Sequence, residues 1–235
     1  MNSLLFDLSE AQAGNILELS DHRSEHIRCV LKLKVGDELR VGQIDGKLGT
    51  AEVLEMAGSK TTLIFELQDE PPAPLPLRVL LALPRPKVLG RKLKSLAELG
   101  VKDIHLINAK KVESSYWTAH QLREDQVRKH LLNGLSQSND TVLPRLHFEK
   151  GFRSFVEDKL PELCAETENW VAHPYTSNSI SRASDKNTVL AIGPEGGWID
   201  YELECFRRLG FQLGSLGPRV LSTETAIVSL VTRLS

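Results

Sequence analysis

Two glycine-containing segments in the last third of the chain carry the residues best suited to binding a small ligand. The first, residues 193–197, reads GPEGG, and the second, residues 217–226, reads GPRVLSTETA. Each follows an apolar run that predicts a strand and precedes a predicted helix. Because glycine lacks a side chain, its backbone N–H and C=O groups can approach a ligand closely. Such loops at the carboxyl ends of parallel strands predict a ligand site, whereas two tight turns with helix caps are the simpler alternative.

The residue types in these segments indicate what kind of ligand they would bind. Neither segment has the Gly-x-Gly-x-x-Gly pattern or the Gly-Lys-Ser/Thr ending of a phosphate-binding loop. The carboxylate of Glu195 would repel a phosphate, whereas it tolerates a sulfonium cation. A nucleoside without phosphates fits better, because backbone and polar atoms can recognise its base and ribose. We therefore predict S-adenosylmethionine as the cofactor, rather than ATP or NAD.

A proline-rich stretch divides the chain into two predicted domains. Residues 70–76 read EPPAPLP, and prolines at this density favour an extended linker. We predict a small, mostly β domain over residues 1–70, a linker over 71–76 and a larger domain over 77–235. In the small domain, strands are predicted over 38–44, 48–56 and 61–67, and the dipeptide Asp45-Gly46 is typical of a tight hairpin turn.

The larger domain alternates apolar runs with helical patterns. Apolar runs at 77–83, 104–107, 170–172 and 189–192 predict buried strands, and helices are predicted for the segments that end at residues 100, 210 and 234. Asp200 is the expected cap of the second of these helices. This alternation predicts an α/β layer structure with a parallel sheet.

Charge is distributed unevenly along the chain. The formal net charge is −2, but residues 1–70 hold seven Lys and Arg against thirteen Asp and Glu. Basic residues gather after the linker in a run whose first three members are Arg85, Lys87 and Arg91 and whose next members are Lys92 and Lys94. We predict that these three contact a nucleic acid, although a solvated helix face explains such a run equally well.

The composition also excludes several classes of protein. Cys29, Cys164 and Cys205 have no Cys-x-x-Cys spacing, so we expect reduced thiols and no disulfide or metal. No apolar run resembles a signal peptide or a membrane span, so we expect a cytoplasmic protein that does not contact a membrane. His105 and His173 fall in or beside predicted strands and are interpreted as buried core groups.

The two glycine segments, taken together and in this order, resemble the RsmE group of SPOUT-superfamily methyltransferases. The similarity extends to residues 26–38 (HIRCVLKLKVGDE) and residues 97–101 (AELGV). The resemblance implies a C-terminal SPOUT α/β trefoil-knot domain with a parallel sheet, preceded by a small PUA-like β-barrel domain that binds RNA. It also implies a homodimer that methylates N3 of a uridine in 16S ribosomal RNA. Its partner would be ribosomal RNA or the small ribosomal subunit. The apolar stretch at 226–234 supports a dimer, because it offers more apolar surface than one core face needs.

The same resemblance implies roles for individual residues. Arg219 is the candidate for stabilising the anionic base, and Glu195 is the candidate proton acceptor or orienting group. A bridge from Arg219 to Glu224 and a purely loop-stabilising Glu195 are the structural alternatives. The residues expected to line the cofactor site are Gly193, Glu195, Gly196, Gly197, Leu216, Gly217, Leu221, Ser222 and Thr223.

The chain departs from the group's pattern at two places. Where the group has Glu-Gln-Ser/Cys-x-Arg, residues 136–140 read SQSND, so that Gln137 and Ser138 remain as expected RNA contacts while Asp140 replaces an arginine. Ser222 likewise stands where the group has an arginine. A carboxylate in place of a cation opposes phosphate binding, so Asp140 is expected to mark an altered RNA site. Three functions remain open: an active 16S RNA methyltransferase, a divergent enzyme with another RNA target, and a catalytically silent RNA-binding or assembly protein.

Overall fold

The computed structural model describes residues 2–181 and 186–235, and the chain divides into two compact units. The first unit comprises Met1–Ala73 and Leu135–Leu143, and the second comprises Pro74–Gly134 and Pro144–Ser235. The change from the first unit to the second falls in the proline-rich stretch. The first unit also takes in a nine-residue segment that lies far beyond that stretch in sequence.

The first unit is built on a mixed six-stranded sheet with the strand order β1-β4-β5-β6-β3-β2. Only β1 and β4 pair in parallel, and the other neighbours are antiparallel. The predicted hairpin between β4 and β5 is confirmed, and Asp45 adopts the positive φ of 57° that its turn requires. The strands are β1 (Leu4–Phe6), β2 (Ala11–Gln12), β3 (Ile16–Leu19), β4 (Glu38–Gln43), β5 (Leu48–Ala57) and β6 (Lys60–Asp69).

One helical segment closes the apolar face of this sheet. The α-helix α1 (His22–Glu25) continues as a π-helical turn, His26–Val30, and Asp21 caps it by accepting the N–H of Arg23. Ile27 is the apolar residue of this segment that is fully buried, and Ser24 is fully buried as well. The buried apolar side chains that form the core of the unit are Leu4, Phe6, Leu17, Leu19, Ile27, Val41, Ala51, Val53, Leu63 and Phe65.

The second unit contains a six-stranded sheet in which every neighbouring pair is parallel. Its order is β12-β10-β11-β7-β8-β9, so β11 lies between β10 and β7 and the later strands are not added in chain order. The predicted parallel sheet is therefore confirmed. The strands are β7 (Leu77–Ala82), β8 (Asp103–Ile107), β9 (Arg145–Glu149), β10 (Glu168–Ala172), β11 (Thr188–Ile192) and β12 (Gln212–Gly214).

The helices of the second part of the chain connect and cover these strands. The C-terminal helix packs against the first long helix and against β11. The helix expected to be capped by Asp200 instead has Ile199 as its cap residue, because the N–H of Ile199 donates to Glu202 within the first turn. The α-helices are α2 (Pro86–Glu98), α3 (Glu124–Ser138), α4 (Phe152–Ser154), α5 (Leu160–Leu163), α6 (Asp200–Arg208) and α7 (Thr223–Leu234). Shorter helical turns are Ser114–Thr118, His120–Leu122 and Phe155–Lys159.

The end of α3 and the loop after it contribute to the first unit through buried hydrogen bonds. The carbonyl of Ser136 accepts the backbone N–H of Ser3, and the Ser136 hydroxyl donates to the Ser3 carbonyl. Asp140 is 3% exposed, and its Oδ1 accepts the N–H of Val142 at 3.0 Å. A buried carboxylate that closes a turn is not available to a phosphate, so Asp140 itself is not an exposed RNA contact, while the expectation that it marks an altered RNA site stays a prediction.

Replacing Asp140 tests this structural role. Asp140→Arg should lower the free energy of unfolding by about 2 kcal/mol or more, since it inserts a long cation into a packed site and leaves the Val142 N–H unpaired. Urea unfolding measures the change. Asn133→Arg is the matched control, because Asn133 is an exposed residue of α3, the helix that precedes Asp140. An Asp140→Arg protein as stable as this control would show that the carboxylate is dispensable.

Candidate cofactor site and RNA-contact residues

A cavity of about 340 Å³ opens at the carboxyl ends of three neighbouring strands, β10, β11 and β12. The last residues of these strands, Ala172, Ile192 and Gly214, all line it. Parallel pairing places these three ends at one edge of the sheet, so loops far apart in sequence meet there. This position and size are typical of a small-molecule site in an open α/β sheet.

Most of the residues predicted to bind a cofactor lie around this cavity. Gly217 and Ser222 are not among the described residues that line it. Gly217 has a φ of 124°, which requires glycine, and the Ser222 hydroxyl caps α7 by accepting the N–H of Thr225. These two residues therefore shape the segment that carries its neighbours. The predicted residues that line the cavity are Gly193, Glu195, Gly196, Gly197, Leu216, Arg219, Leu221 and Thr223.

The GPEGG loop folds as a tight turn against an aromatic ring. The N–H of Gly197 donates to the Pro194 carbonyl at 2.8 Å, and Gly197 has a φ of 72°. A Cβ on Gly193 would lie 3.0 Å from the indole nitrogen of Trp198, so the absence of a side chain lets the backbone rest on this ring. Trp198 is buried, and its Nε1 has no hydrogen-bond partner among the described residues. The loop thus leaves a buried donor and open backbone groups beside the cavity.

An ion pair between a buried lysine and a partly exposed glutamate connects this loop to α2. The ammonium of Lys92 is 2% exposed and donates to Oε1 of Glu195 at 2.9 Å. Burial alone would raise the pKa of Glu195, but the hydrogen bond and charge of Lys92, aided by Arg85, hold that pKa below its usual value. A carboxylate with a lowered pKa is a poor proton acceptor. Its geometry supports an orienting role for Glu195.

The burial of Lys92 was not predicted, because its position in a run of basic residues suggested a solvated side chain. The signal was present: Leu89, Leu93 and Leu96 define the buried face of α2, and Lys92 lies three residues after the first of them. A buried lysine on the apolar face of a helix needs an anion within reach of its ammonium. In this fold Glu195 supplies that anion.

A second anchor positions the other side of the loop. The buried carboxylate of Glu202 accepts the N–H of Lys110 at 2.6 Å through one oxygen and the N–H of Ile199 at 2.9 Å through the other. This arrangement holds the segment after β8 next to the start of α6. Lys111, the next residue, then donates from Nζ to the Gly196 carbonyl at 2.6 Å. Lys111 also lines the cavity.

Arg219 projects from the second glycine segment as an exposed cation. No ion pair or hydrogen bond of its side chain occurs among the described residues. The alternative of a bridge to Glu224 is not formed, because Glu224 instead accepts from Arg91 at 3.0 Å. Arg219 lines the cavity, so its charge is available to a group that enters there.

His173 and Tyr175 also line the cavity, although sequence analysis interpreted His173 as a core residue. His173 directly follows β10, is half-buried, and accepts the N–H of Tyr175 through Nδ1 at 3.3 Å. Burial lowers the pKa of His173, and the nearby charge of Arg207 lowers it further. The signal that could have identified this residue is its position at the carboxyl end of a strand.

The residues expected to contact RNA occur in both units. Arg85, Lys87 and Arg91 are exposed at the start of α2 in the second unit, and Arg91 is paired with Glu224. Gln137 and Ser138 belong to the first unit and are half-buried. The Gln137 carbonyl accepts from the side chain of Asn2.

The cavity residues fit S-adenosylmethionine on chemical grounds. The walls combine apolar side chains from α7, Ala226 and Leu230, with open backbone groups of the glycine loop. The unpartnered Nε1 of Trp198 offers a donor, and the charge of Glu195 is balanced by its pairing with Lys92. Apolar walls with a few polar groups suit a nucleoside ligand.

Comparisons with known proteins define the class of this chain. Residues 71–235 match the family model of the RNA methyltransferase domain, and residues 19–67 match that of the RNA methyltransferase PUA domain. Two solved structures share the fold, each with a TM-score of 0.77. One is a Legionella pneumophila methyltransferase in complex with S-adenosylmethionine, 24% identical, with 99% of this chain and 96% of that chain covered. The other is the ribosomal RNA small subunit methyltransferase E of Neisseria gonorrhoeae bound to S-adenosylmethionine, 22% identical, with 98% and 95% covered.

A closer relative identifies the family. The ribosomal RNA small subunit methyltransferase E of Treponema pallidum (strain Nichols) is 32% identical over 238 residues, covering 96% of this chain and 87% of that protein. The chain belongs to the ribosomal RNA small subunit methyltransferase E family. The predicted fold class is confirmed: a PUA-like domain is followed along the chain by a SPOUT α/β domain with a parallel sheet. None of the helices in the described part of the chain has the length and apolar character of a membrane span.

A substitution at Gly196 tests whether this cavity holds the cofactor. Gly196→Val should weaken S-adenosylmethionine binding by at least about tenfold, equivalent to 1.4 kcal/mol, because the new side chain would displace Lys111, whose Cδ lies 2.8 Å from the Cβ position. Isothermal titration calorimetry measures the affinity. Gly46→Val is the matched control, since its Cβ would likewise meet a flexible side chain, that of Gln43, at 2.8 Å. Equal affinities for both variants would place the cofactor elsewhere.

Proposed function

We propose that this protein is an S-adenosylmethionine-dependent methyltransferase that acts on N3 of a uridine in 16S ribosomal RNA. The observation that carries the proposal is the cavity at the carboxyl ends of β10, β11 and β12, which is built from both predicted glycine segments. Family membership and relatives bound to S-adenosylmethionine support the same cofactor. When bound, the cofactor supplies an electrophilic methyl group on a sulfonium.

The contribution of the protein to this reaction is positioning and charge. Transfer of a methyl group to a ring nitrogen requires the two reacting atoms to be held in line, which lowers the entropic part of the barrier. The Lys92–Glu195 ion pair and the Lys111–Gly196 contact fix the glycine loop from two sides. A loop held in this way keeps its backbone groups in place without reorganisation when the cofactor binds.

Arg219 supports the developing charge on the base. Uracil N3 carries a proton, and its removal leaves negative charge on the two neighbouring carbonyl oxygens. A guanidinium keeps its charge at any working pH and can donate to such oxygens. Arg219 lines the cavity and has no competing ion pair among the residues that the structure describes.

The distribution of charge supports RNA contacts by the second unit. The exposed cations Arg85 and Lys87 lie at the start of α2, the same helix that supplies Lys92 to the loop. Residues 1–70 have an acidic excess. Basic side chains in this part of the chain can therefore neutralise RNA phosphates only in local patches. Gln137 and Ser138 are proposed to contribute hydrogen bonds to RNA and no charge.

We also propose a cytoplasmic homodimer. Ile227, Leu230, Val231 and Leu234 of α7 are buried within the chain, so the helix offers less free apolar surface than its sequence predicts. Val228 on the same helix is 43% exposed, and Val220 is 65% exposed. A second copy that covers these two valines would remove apolar surface from water next to Arg219.

The activity is tested with ribosomal RNA that lacks the modification. The protein is incubated with methyl-tritiated S-adenosylmethionine and small ribosomal subunits from a strain without this gene, and the RNA nucleosides are analysed. Label in 3-methyluridine of 16S RNA is the expected result. Label in another nucleoside or another RNA would indicate a divergent target, and no label in any RNA despite cofactor binding would indicate a silent RNA-binding protein.

The role of Arg219 predicts that binding and rate separate. Arg219→Ala should leave S-adenosylmethionine affinity nearly unchanged and lower methyl transfer by roughly a hundredfold, the scale of losing one donor to an oxyanion. Single-turnover transfer measures the rate, and calorimetry measures the affinity. Arg208→Ala, which removes an exposed arginine of α6, is the control. Full turnover by Arg219→Ala would assign this residue to structure.

The dimer is tested at its proposed centre. Val228→Glu should convert a species of twice the 26.2 kDa chain mass into a monomer, because it buries two unpaired carboxylates at the interface. Light scattering at micromolar concentration gives the mass. Val35→Glu, at a valine of the first unit that is 62% exposed, should remain dimeric. A wild-type protein with the mass of one chain would remove the dimer from the proposal.

A further inference from the structure

A cluster of one carboxylate and two imidazoles lies on β8 and β9, away from the strand ends that form the cofactor cavity. Asp103 and His105 are two residues apart on β8, so their side chains are on the same face of the sheet. His147 lies directly opposite His105 in the register of β9. One ligand atom from each of the three residues lies within 4.8 Å of the others.

The distances within the cluster match those between the ligands of a tetrahedral metal ion. Oδ1 of Asp103 is 3.2 Å from Nε2 of His105 and 3.4 Å from Nε2 of His147. Ligands at about 2.0–2.1 Å from a tetrahedral ion are separated by about 3.3 Å. The two imidazole rings are stacked with their centroids 4.3 Å apart and an interplanar angle of 16°, which aligns both Nε2 atoms toward the same carboxylate oxygen.

The protein itself satisfies the buried polar atoms of the cluster incompletely. His105 is 4% exposed, and its Nδ1 forms no hydrogen bond with any described residue. Oδ1 of Asp103 is also buried, and it contacts the two Nε2 atoms of His105 and His147. Buried polar atoms without a partner are costly in a native protein, and a bound ion removes that cost by coordinating them.

The surroundings resemble the outer partners of a metal site. Nε of Arg78 donates to Oδ2 of Asp103 at 2.6 Å, so the carboxylate is oriented with Oδ1 toward the imidazoles. On the other side of His105, Nδ1 lies 4.0 Å from Oε1 of Glu149. A carboxylate facing the second nitrogen of a ligating histidine is a recurrent feature of zinc sites. Lys159 pairs with Glu149 at 2.9 Å, and together with Arg78 it offsets the negative charge of the two carboxylates.

We propose that Asp103, His105 and His147 bind a divalent first-row transition metal ion, with zinc as the ion that best fits this ligand set. Two imidazole nitrogens and one carboxylate oxygen supply three ligands, and the fourth position is left to water. His147 is 43% exposed on its side chain, which gives the ion a path from solvent. The ion would join the sheet-edge strand β9 to β8 and thereby stabilise the second unit.

The test is zinc binding by the full chain after treatment with a chelator. Calorimetry with zinc chloride should give one tight equivalent per chain, and cobalt(II) should give the visible absorption of a tetrahedral complex. His147→Ala should weaken zinc binding by about a hundredfold or more, since loss of a ligand exceeds the 10–100-fold cost of losing an outer partner. Zinc should also raise the Tm of the wild type and leave that of His147→Ala unchanged.

A surface histidine provides the matched control. His120 is exposed in the same unit, and His120→Ala should bind zinc as the wild type does. Circular dichroism establishes that both variants are folded, and S-adenosylmethionine affinity should be the same in both. Absence of zinc binding by the wild type, or equal zinc affinity in His147→Ala and His120→Ala, would overturn the proposal.

Discussion

The position of the GPEGG loop depends on one ion pair, in which the buried ammonium of Lys92 meets the partly exposed carboxylate of Glu195. Removing an ammonium from water costs several kcal/mol unless an anion with good geometry compensates, and Lys92 is almost completely buried. The loop therefore cannot move away from α2 without leaving an unpaired charge in the core. The same contact lowers the pKa of Glu195. One interaction thus holds the loop against α2 and keeps its carboxylate in the ionised form.

The order of strands in the parallel sheet turns this local constraint into a binding site. Because β11 lies between β7 and β10, the loop after β11 emerges at the centre of the sheet and not at its edge. The chain then continues through β12 at the far edge and returns as α7, which packs on α2 and β11. This return places the second glycine segment at the same cavity as the first. α2, which carries the buried Lys92, is therefore also the helix against which α7 packs.

Elements with a buried side were predictable from the sequence, and elements without one were not. β7 and β11 read as continuous apolar runs because both faces are covered. The edge strand β9, Arg145–Glu149, was missed because most of its side chains are exposed, and α3 was missed because polar residues dominate it. The two glycine segments were predicted to form a ligand site, and both line the cavity at the carboxyl ends of β10, β11 and β12. Lys92, His173 and the cluster around His105 depend on contacts between strands or helices that no local pattern records.

Burial also determines how departures from the family pattern are interpreted. Ser136 and Asp140 fill hydrogen-bonding positions inside the first unit, so the side chains at these two positions now serve packing and not RNA contact. Ser222 caps α7, and a serine at this position contributes through its hydroxyl where an arginine would contribute charge. Arg219 is consequently the cation of the second glycine segment that still faces the cavity. The electrostatic part of the proposed base recognition therefore falls on Arg219, whose side chain forms no ion pair among the described residues.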